Sequence, residues 1–206
     1  MIVEKLVLGS VRTNCYFITN EESNEVIIID PASNSEQIQD FIKQRGLKPV
    51  GILLTHGHFD HIYAVDNIRK LNDTQVYAHE KEQAILADAD LNLSSIFGVP
   101  FTTAADVLLK DRSELEMAGA KIEVMLTPGH TAGSVCYYMA KEDIIMSGDT
   151  LFCESYGRTD FPTGSSTELK HSIKDRLFTL PDNTTVYPGH EGITHVGHEK
   201  QCNPIL

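Results

Sequence analysis

The chain has 206 residues, 41% hydrophobic and 22% charged, a balance that fits one globular domain over 1–206 and excludes a disordered, collagen-like or coiled-coil chain. Lys and Arg total 17 against 29 Asp and Glu, a net charge of −12, and a surface of that sign repels phosphate backbones, so nucleic acid is not an expected partner. No apolar run approaches the roughly 20 residues of a membrane span, and Met1 to Gly9 lacks a signal peptide's apolar core. No membrane partner and a cytoplasmic location are therefore expected. Cys15, Cys136, Cys153 and Cys202 form no C-x-x-C pair and read as reduced thiols, mostly buried.

In chain order, β-rich runs come first: Ile2 to Leu8, Cys15 to Thr19, and Val26 to Ile29, which ends in the Asp30-Pro31 turn signal. The spacing of Ile38, Phe41 and Ile42 predicts an amphipathic helix over 35–45, with Ser35 as N-cap and Gly46 as its stop. A buried strand from Val50 to Thr55 follows, then a helix carrying Ile62, Val65 and Ile68, a strand from Thr74 to Ala78 and a helix from Glu80 to Ala87. Asp88 to Asp106 has weak periodicity and reads as a long loop with one helical turn, of the kind that borders a site. Val107–Leu109, Lys121–Leu126, Val135–Tyr138 and Ile144–Ser147 read as strands, Glu168–Phe178 as a helix and Thr185–Tyr187 as a last short strand. This order predicts an α/β fold of two packed sheets with helices outside.

The chemistry gathers where apolar strands end. Ile52-Leu53-Leu54-Thr55 runs into His56-Gly57-His58-Phe59-Asp60-His61, and three further strands run into His130, Asp149 and His190, each preceded by a glycine. Loops at one end of a sheet are neighbours, so these residues are expected to converge. Five imidazoles and two carboxylates, with no thiolate, suit zinc, iron or manganese. Seven donors exceed the needs of one tetrahedral ion; two ions about 3.5–4 Å apart, bridged by a carboxylate and a water, would use them all. Asp149, the isolated carboxylate, is the natural bridge. His79, His171, His195 and His198 stand singly and stay outside the ligand set.

The run Thr55 to His61, taken with His130, Asp149 and His190, resembles the metallo-β-lactamase superfamily over nearly the whole chain. Within that family, Gly148-Asp149-Thr150-Leu151-Phe152 and Gly157-Arg158-Thr159-Asp160-Phe161-Pro162 are similar to the short, glyoxalase II-like hydroxyacylglutathione hydrolases. The resemblance implies an αβ/βα four-layer sandwich, two mixed β-sheets flanked by helices. It implies His56, His58 and His130 on a first divalent metal, Asp60, His61 and His190 on a second, and Asp149 between them. The implied reaction is hydrolysis of a small acyl thioester such as S-D-lactoylglutathione by a metal-bridging hydroxide, which Asp60 orients. Class B β-lactamases of the common type place a cysteine where Asp149 stands, so β-lactam hydrolysis is not implied.

Full-length glyoxalase II carries a C-terminal helical extension that contacts glutathione, whereas only Glu191 to Leu206 follows the last ligand here. His195, His198 and Lys200 in that tail are the candidate substrate contacts. Arg158 and Asp160 either orient a substrate carboxylate and a histidine or tie their own loop together. Persulfide dioxygenases share the Gly-Arg-Thr-Asp-Phe stretch, and the alternative is one iron on His56, His130 and Asp149. Metal identity, thiol carrier and oligomeric state are open at this stage.

Overall fold

A computed structural model describes residues 1–205. Its first sheet is ordered β1-β2-β3-β4-β5-β6, from β1 (Ile2–Leu8), β2 (Thr13–Thr19), β3 (Glu25–Ile29), β4 (Lys48–Leu53), β5 (Val76–His79) and β6 (Val107–Leu109). The first three strands form an antiparallel meander, and β3 to β6 run parallel. Helix α1 (Ser35–Arg45) makes the crossover from β3 to β4. Its N-cap is Asn34, in the left-handed region, so Ser35 is the first helical residue instead of the cap; Gly46 at φ 62° closes the other end. The helix expected through Ile62 and Ile68 is two, α2 (Phe59–Ile62) and α3 (Val65–Asn72). Beyond β5 a 3₁₀ turn, Glu80–Glu82, leads into α4 (Gln83–Leu86), and the long loop holds one short helix, α5 (Ser94–Phe97).

The second sheet is ordered β14-β13-β10-β9-β8-β7, from β7 (Glu114–Met117), β8 (Ala120–Leu126), β9 (Val135–Met139), β10 (Ile144–Gly148), β13 (Thr185–Pro188) and β14 (Thr194–His195). Strands β11 (Leu151–Phe152) and β12 (Ser155–Tyr156) form a small hairpin. Helix α6 (Ser166–His171) is capped by the Ser165 hydroxyl, which accepts from the Glu168 N–H, and continues through a π-helical turn, Ser172–Arg176. The tail that carries His195, His198 and Lys200 forms β14 and α7 (Val196–Cys202).

Strand alternation builds the layers. Phe17, Ile28, Ile52 and Leu54 face outward onto Ile38, Phe41, Val65 and Ile68 of the helices. Their neighbours Tyr16, Ile18, Ile27, Ile29 and Leu53 face inward onto Val135, Tyr137, Met139 and Met146 of the other sheet. Cys136, Tyr138 and Ile145 point out of the second sheet onto Leu169, Ile173 and Val196. Three apolar seams therefore hold four layers, helix, sheet, sheet and helix, with both sheets mixed. Cys15 and Cys136 are buried within these seams, whereas Cys202 is exposed and Cys153 partly so. Among the described residues, no helix is long and apolar enough to cross a membrane.

The two sheets are pinned together along one edge. Tyr137 Oη donates to the Leu54 carbonyl at 2.6 Å, Tyr16 Oη to the Pro188 carbonyl at 2.7 Å, and the Asn14 N–H to the Gly189 carbonyl at 2.7 Å. At that edge β4, β8, β10 and β13 all end.

Candidate metal centre

The four strand ends bring seven side chains into one cluster. Potential ligand atoms of His56, His58 and His130 lie within 4.8 Å of one another, as do those of His56, His61 and Asp149 and those of Asp60, His61 and His190. His58 Nδ1 is 2.8 Å from His130 Nε2. Asp149 reaches both sides: Oδ1 lies 3.4 Å from His61 Nε2, and Oδ2 lies 3.6 Å from His130 Nε2 and 3.4 Å from His190 Nε2. Asp60 Oδ2 lies 3.3 Å from His190 Nε2.

Hydrogen bonds behind the cluster decide which ring nitrogen faces it. Asp30 Oδ2 can only accept, so the His61 Nδ1 contact at 2.9 Å is an N–H donor. The same carboxylate accepts from Thr55 Oγ1 at 2.6 Å and from the Thr55 N–H at 2.8 Å. With its proton so used, Thr55 Oγ1 accepts from His56 Nδ1 at 3.1 Å. His130 Nδ1 donates to the Arg158 carbonyl at 2.7 Å. His56, His61 and His130 thus each turn Nε2 toward the centre, as metal-ligating imidazoles do when the other nitrogen is held by a carboxylate or carbonyl. Thr13 Oγ1 donates to Asp60 Oδ2 at 2.8 Å and fixes that carboxylate.

The cluster fits a cation. His56 Nε2, His61 Nε2 and Asp149 Oδ1 are buried with no hydrogen-bond partner, a cost that a bound cation removes. Burial, reinforced by neighbouring imidazoles, pushes His56 well below the ordinary histidine value and His58 down to about 3. Burial would also raise the two carboxylates, yet His61 and His190 hold Asp149 well below its usual range and bring Asp60 down to about 2. In return, against the cost of burial, Asp60 and Asp149 lift His61 well above its ordinary value, and Asp149 leads the lift of His190 to about 9. The carboxylates demand positive charge here. Nitrogen and carboxylate donors without sulfur suit zinc, iron or manganese.

Glu82 holds the two ligand-bearing loops together. Its carboxylate is fully buried and accepts from the Gly57 N–H at 2.6 Å, between His56 and His58, and from Thr131 Oγ1 at 2.6 Å and the Gly133 N–H at 2.9 Å, beside His130. Burial outweighs those bonds and raises it to about 7. Glycine is required where the loops meet: a Cβ on Gly189 would clash with Asp149 Oδ1, and one on Gly157 would overlap the Asp149 carbonyl. Sequence reasoning missed Asp30, Thr13 and Glu82. The available signals were an acid at the end of the apolar strand Val26–Ile29, and an acid at helical spacing from Ile85 and Leu86.

A cavity of ≈ 550 Å³ opens over the cluster, reached by His58, Asp60, His130, Asp149 and His190. Arg158 lines it, but its guanidinium is bound bidentately to Asp160 at 2.7 and 2.6 Å, and both side chains are exposed. The histidine contact comes from the Arg158 backbone, and Asp160 makes none. The tail candidates are placed elsewhere. His195 sits on β14 opposite Thr185, His198 Nε2 meets Glu154 Oε1 at 3.0 Å, and Lys200 Nζ donates to the Leu180 carbonyl and to Asp182. None of the three lines the cavity, because pairing β14 with β13 and packing Val196 into the outer seam turns the tail away from it.

The profile of the metallo-beta-lactamase superfamily matches residues 8–190. The chain belongs to the metallo-β-lactamase superfamily. It is 41% identical over 204 residues to the probable metallo-hydrolase YqgX of Bacillus subtilis (strain 168), covering 98% of this chain and 96% of that one. It is 31% identical to the hydroxyacylglutathione hydrolase GloC of Haemophilus influenzae, covering 100% and 98%. Among solved structures, the BLEG-1 B3 metallo-beta-lactamase superposes with a TM-score of 0.95 at 41% identity, covering 100% and 99%. TTHA1623 in a di-iron-bound form gives 0.89 at 34%, covering 98% and 100%, and ETHE1 from Myxococcus xanthus gives 0.82 at 30%, covering 99% and 84%. At that level of description this superfamily member is a metallo-hydrolase with a His and Asp metal-binding cluster.

Proposed function

We propose that the protein hydrolyses a small acyl thioester, with His56, His58 and His130 holding one divalent cation, Asp60, His61 and His190 a second, and Asp149 shared between them. The observation that carries this reading is the position of Asp149, within 3.6 Å of His130 on one side and 3.4 Å of His61 and His190 on the other. Two divalent cations, zinc, iron or manganese, supply water acidified toward neutrality and an electrophile for a carbonyl oxygen. The hydroxyacylglutathione hydrolase GloC supports the choice of thioester, and the di-iron-bound TTHA1623 supports two ions.

In the reaction water adds its oxygen to the acyl carbon, the carbon–sulfur bond breaks, and a carboxylate, a thiol and a proton are released with no change of oxidation state. In this reading Asp60, whose carboxylate accepts from Thr13 Oγ1, also accepts a hydrogen bond from the attacking water. The phenyl groups of Phe59, Phe152 and Phe161 in the cavity wall exclude bulk solvent from the acyl carbonyl. A thiolate leaves without strong acid assistance, and among the described residues of the cavity the one cation outside the cluster, Arg158, is already paired.

Persulfide oxidation by one iron on His56, His130 and Asp149 is the second reading, and the likeness to ETHE1 is consistent with it. The test is metal content of protein purified without chelator, followed by assay of zinc- and iron-loaded protein on S-D-lactoylglutathione, on glutathione persulfide with oxygen uptake, and on a β-lactam, as the BLEG-1 likeness requires. Two metals per chain and thioester cleavage, with kcat in the ordinary range of roughly 1–10³ s⁻¹, are expected. Persulfide-dependent oxygen uptake without thioester cleavage overturns the proposal in favour of the dioxygenase, and β-lactam opening alone overturns it in favour of a lactamase.

A further inference from the structure

Outside the metal cluster, Ser10, Tyr156 and Arg158 bring polar groups to the cavity wall, and the rest of it is apolar. Val11, Phe59, Leu93, Phe97, Phe152 and Phe161 line it, and a second groove of ≈ 410 Å³ continues past Val11, Phe59 and Phe97 to Tyr63 and Val99. The rings form an arc: Phe59 stacks on Phe97 at 5.9 Å, Phe97 meets Phe161 edge-on at 6.0 Å, and Phe161 meets His58 at 5.6 Å. The arc leads from solvent to the cluster. Phe97 is 55% exposed and Val99 75%, an exposure that core packing does not explain.

This wall is held in place. Tyr63 Oη donates to the Val99 carbonyl at 2.9 Å, and a Cβ on Gly98 would overlap that hydroxyl, so the segment lies clamped on Tyr63. The Phe59 N–H donates to the Asn92 carbonyl at 2.8 Å, and Asn92 Nδ2 donates to the Phe101 carbonyl at 2.7 Å. Phe97 is thus an exposed ring on a preorganised support, as a binding wall requires. The charges point the same way. Among the described residues Arg158 is the one cation of the wall outside the cluster; besides its pair with Asp160, its guanidinium carbon sits 4.0 Å over the Phe161 ring. Lys5, on the neighbouring strand, is bound to Asn14 and the Glu191 carbonyl. A thiol carrier with two carboxylates, such as glutathione, finds no free cation among the described residues of this wall, on a chain of net charge −12.

We infer that the substrate presents to this cavity an uncharged apolar group at least the size of a phenyl ring, and that Phe97 is the residue that selects it. The inference rests on the thioester reading and narrows its substrate class. The apolar group can belong to the acyl half or to the thiol half.

Two substrate series separate those sources on metal-loaded protein. The acyl series compares lactoyl with mandeloyl thioesters of N-acetylcysteamine, and the thiol series compares lactoyl thioesters of glutathione with those of benzyl mercaptan. At least one aryl member is expected to exceed its partner tenfold or more in kcat/KM, and Phe97→Ala to cut that ratio to about threefold or less at unchanged metal content and circular dichroism. If the lactoyl esters are cleaved but both ratios stay below tenfold, or if Phe97→Ala leaves the ratio intact, the inference is overturned and the thioester reading stands. If no thioester is cleaved, that reading fails, and calorimetry decides the inference by itself. S-benzylglutathione is expected to bind at least tenfold more tightly than S-methylglutathione, a difference that Phe97→Ala removes, and equal affinities overturn it.

Discussion

The two sheets furnish the centre in different ways. The first sheet concentrates its share: four candidate ligands, His56, His58, Asp60 and His61, follow one strand, and Asp30 at the end of the adjacent parallel strand holds both His56, through Thr55, and His61. The second sheet disperses its share: His130, Asp149 and His190 follow three different strands and are held by backbone groups, such as the Arg158 carbonyl under His130 and the Gly189 N–H to the Gly148 carbonyl at 2.8 Å. A concentrated set needs one good carboxylate behind it. A dispersed set needs the sheets themselves to stay in register, which the cross-sheet bonds of Tyr16 and Tyr137 supply.

The sharpest way to break this comparison is to remove the residue on which both halves converge. Asp149→Ala is expected to lose both metals and to lower activity by about 10³-fold or more, because the remaining histidines then face each other without a shared carboxylate. His58→Ala should mainly deplete the first site and leave about one metal per chain. Elemental analysis of the two variants side by side checks this, and an Asp149→Ala protein that keeps full metal content removes the shared role.

Glu82 ties the concentrated loop to the dispersed one, so its loss tests their coupling. Glu82→Ala leaves the Gly57 and Gly133 N–H groups and the Thr131 hydroxyl without their acceptor and should destabilise the fold by about 3 kcal/mol in denaturant titration. A pH dependence accompanies it. Because burial raises this carboxyl to about 7 from its ordinary 4.5, the folded chain binds the proton more tightly than the unfolded chain does. That contribution is complete below about pH 4.5 and fades as pH climbs through about 7. Glu82→Gln should flatten the fall in stability over that interval; an unchanged slope assigns the fall to other groups.

A smaller effect is expected behind the concentrated half. Asp30→Ala removes the acceptor that orients two imidazoles and should weaken metal binding about 10–100-fold, read by competition with a chromophoric chelator. Asp30→Asn should recover part of the loss, since an amide oxygen still accepts from one histidine or from Thr55. If alanine leaves affinity unchanged, the histidines are oriented by packing alone.

The same contrast explains what was legible in the amino-acid order. Concentration is visible to sequence reasoning: His56, His58, Asp60 and His61 crowd six positions after an apolar strand, and each dispersed ligand follows a strand and a glycine. The layers were legible for the same reason, since strands such as Val26–Ile29 and Val135–Tyr138 are buried on both faces and read as continuous apolar runs. Strand β7 was not legible because Glu-Leu-Glu-Met lies at a sheet edge and buries little, and its pairing depends on the Ala118-Gly119 turn, where both residues have positive φ. Helix α7 was hidden by Gly197, His198, Glu199 and Lys200, whose polarity suggests solvent. Its ordering comes instead from the buried Glu199 carboxylate, which accepts from Thr194 Oγ1 and Asn203 Nδ2. Contacts made across the fold carry no local signal, and Glu82 with Gly133 is the clearest case.

The smallest expected effect lies in the dispersed half, at Arg158. Its backbone carbonyl orients His130, while its side chain is spent on an ion pair with Asp160 in which the two side chains are 57% and 65% exposed. An exposed pair of this kind is worth 0–1 kcal/mol, and alanine preserves the carbonyl, so Arg158→Ala should keep full metal content and change kcat by no more than about threefold. KM for a thioester of an anionic thiol should move as little, because the guanidinium is already neutralised. The neighbouring Gly157→Ala preserves every side chain of the cluster yet forces a Cβ onto the Asp149 carbonyl, and it should lose metal although no ligand is changed. Comparing these two variants isolates backbone from side chain. A tenfold or greater rise in KM for the glutathione ester alone in Arg158→Ala would show the pair opening to receive the substrate's charge, and the apolar cavity would then carry an anion site at its rim.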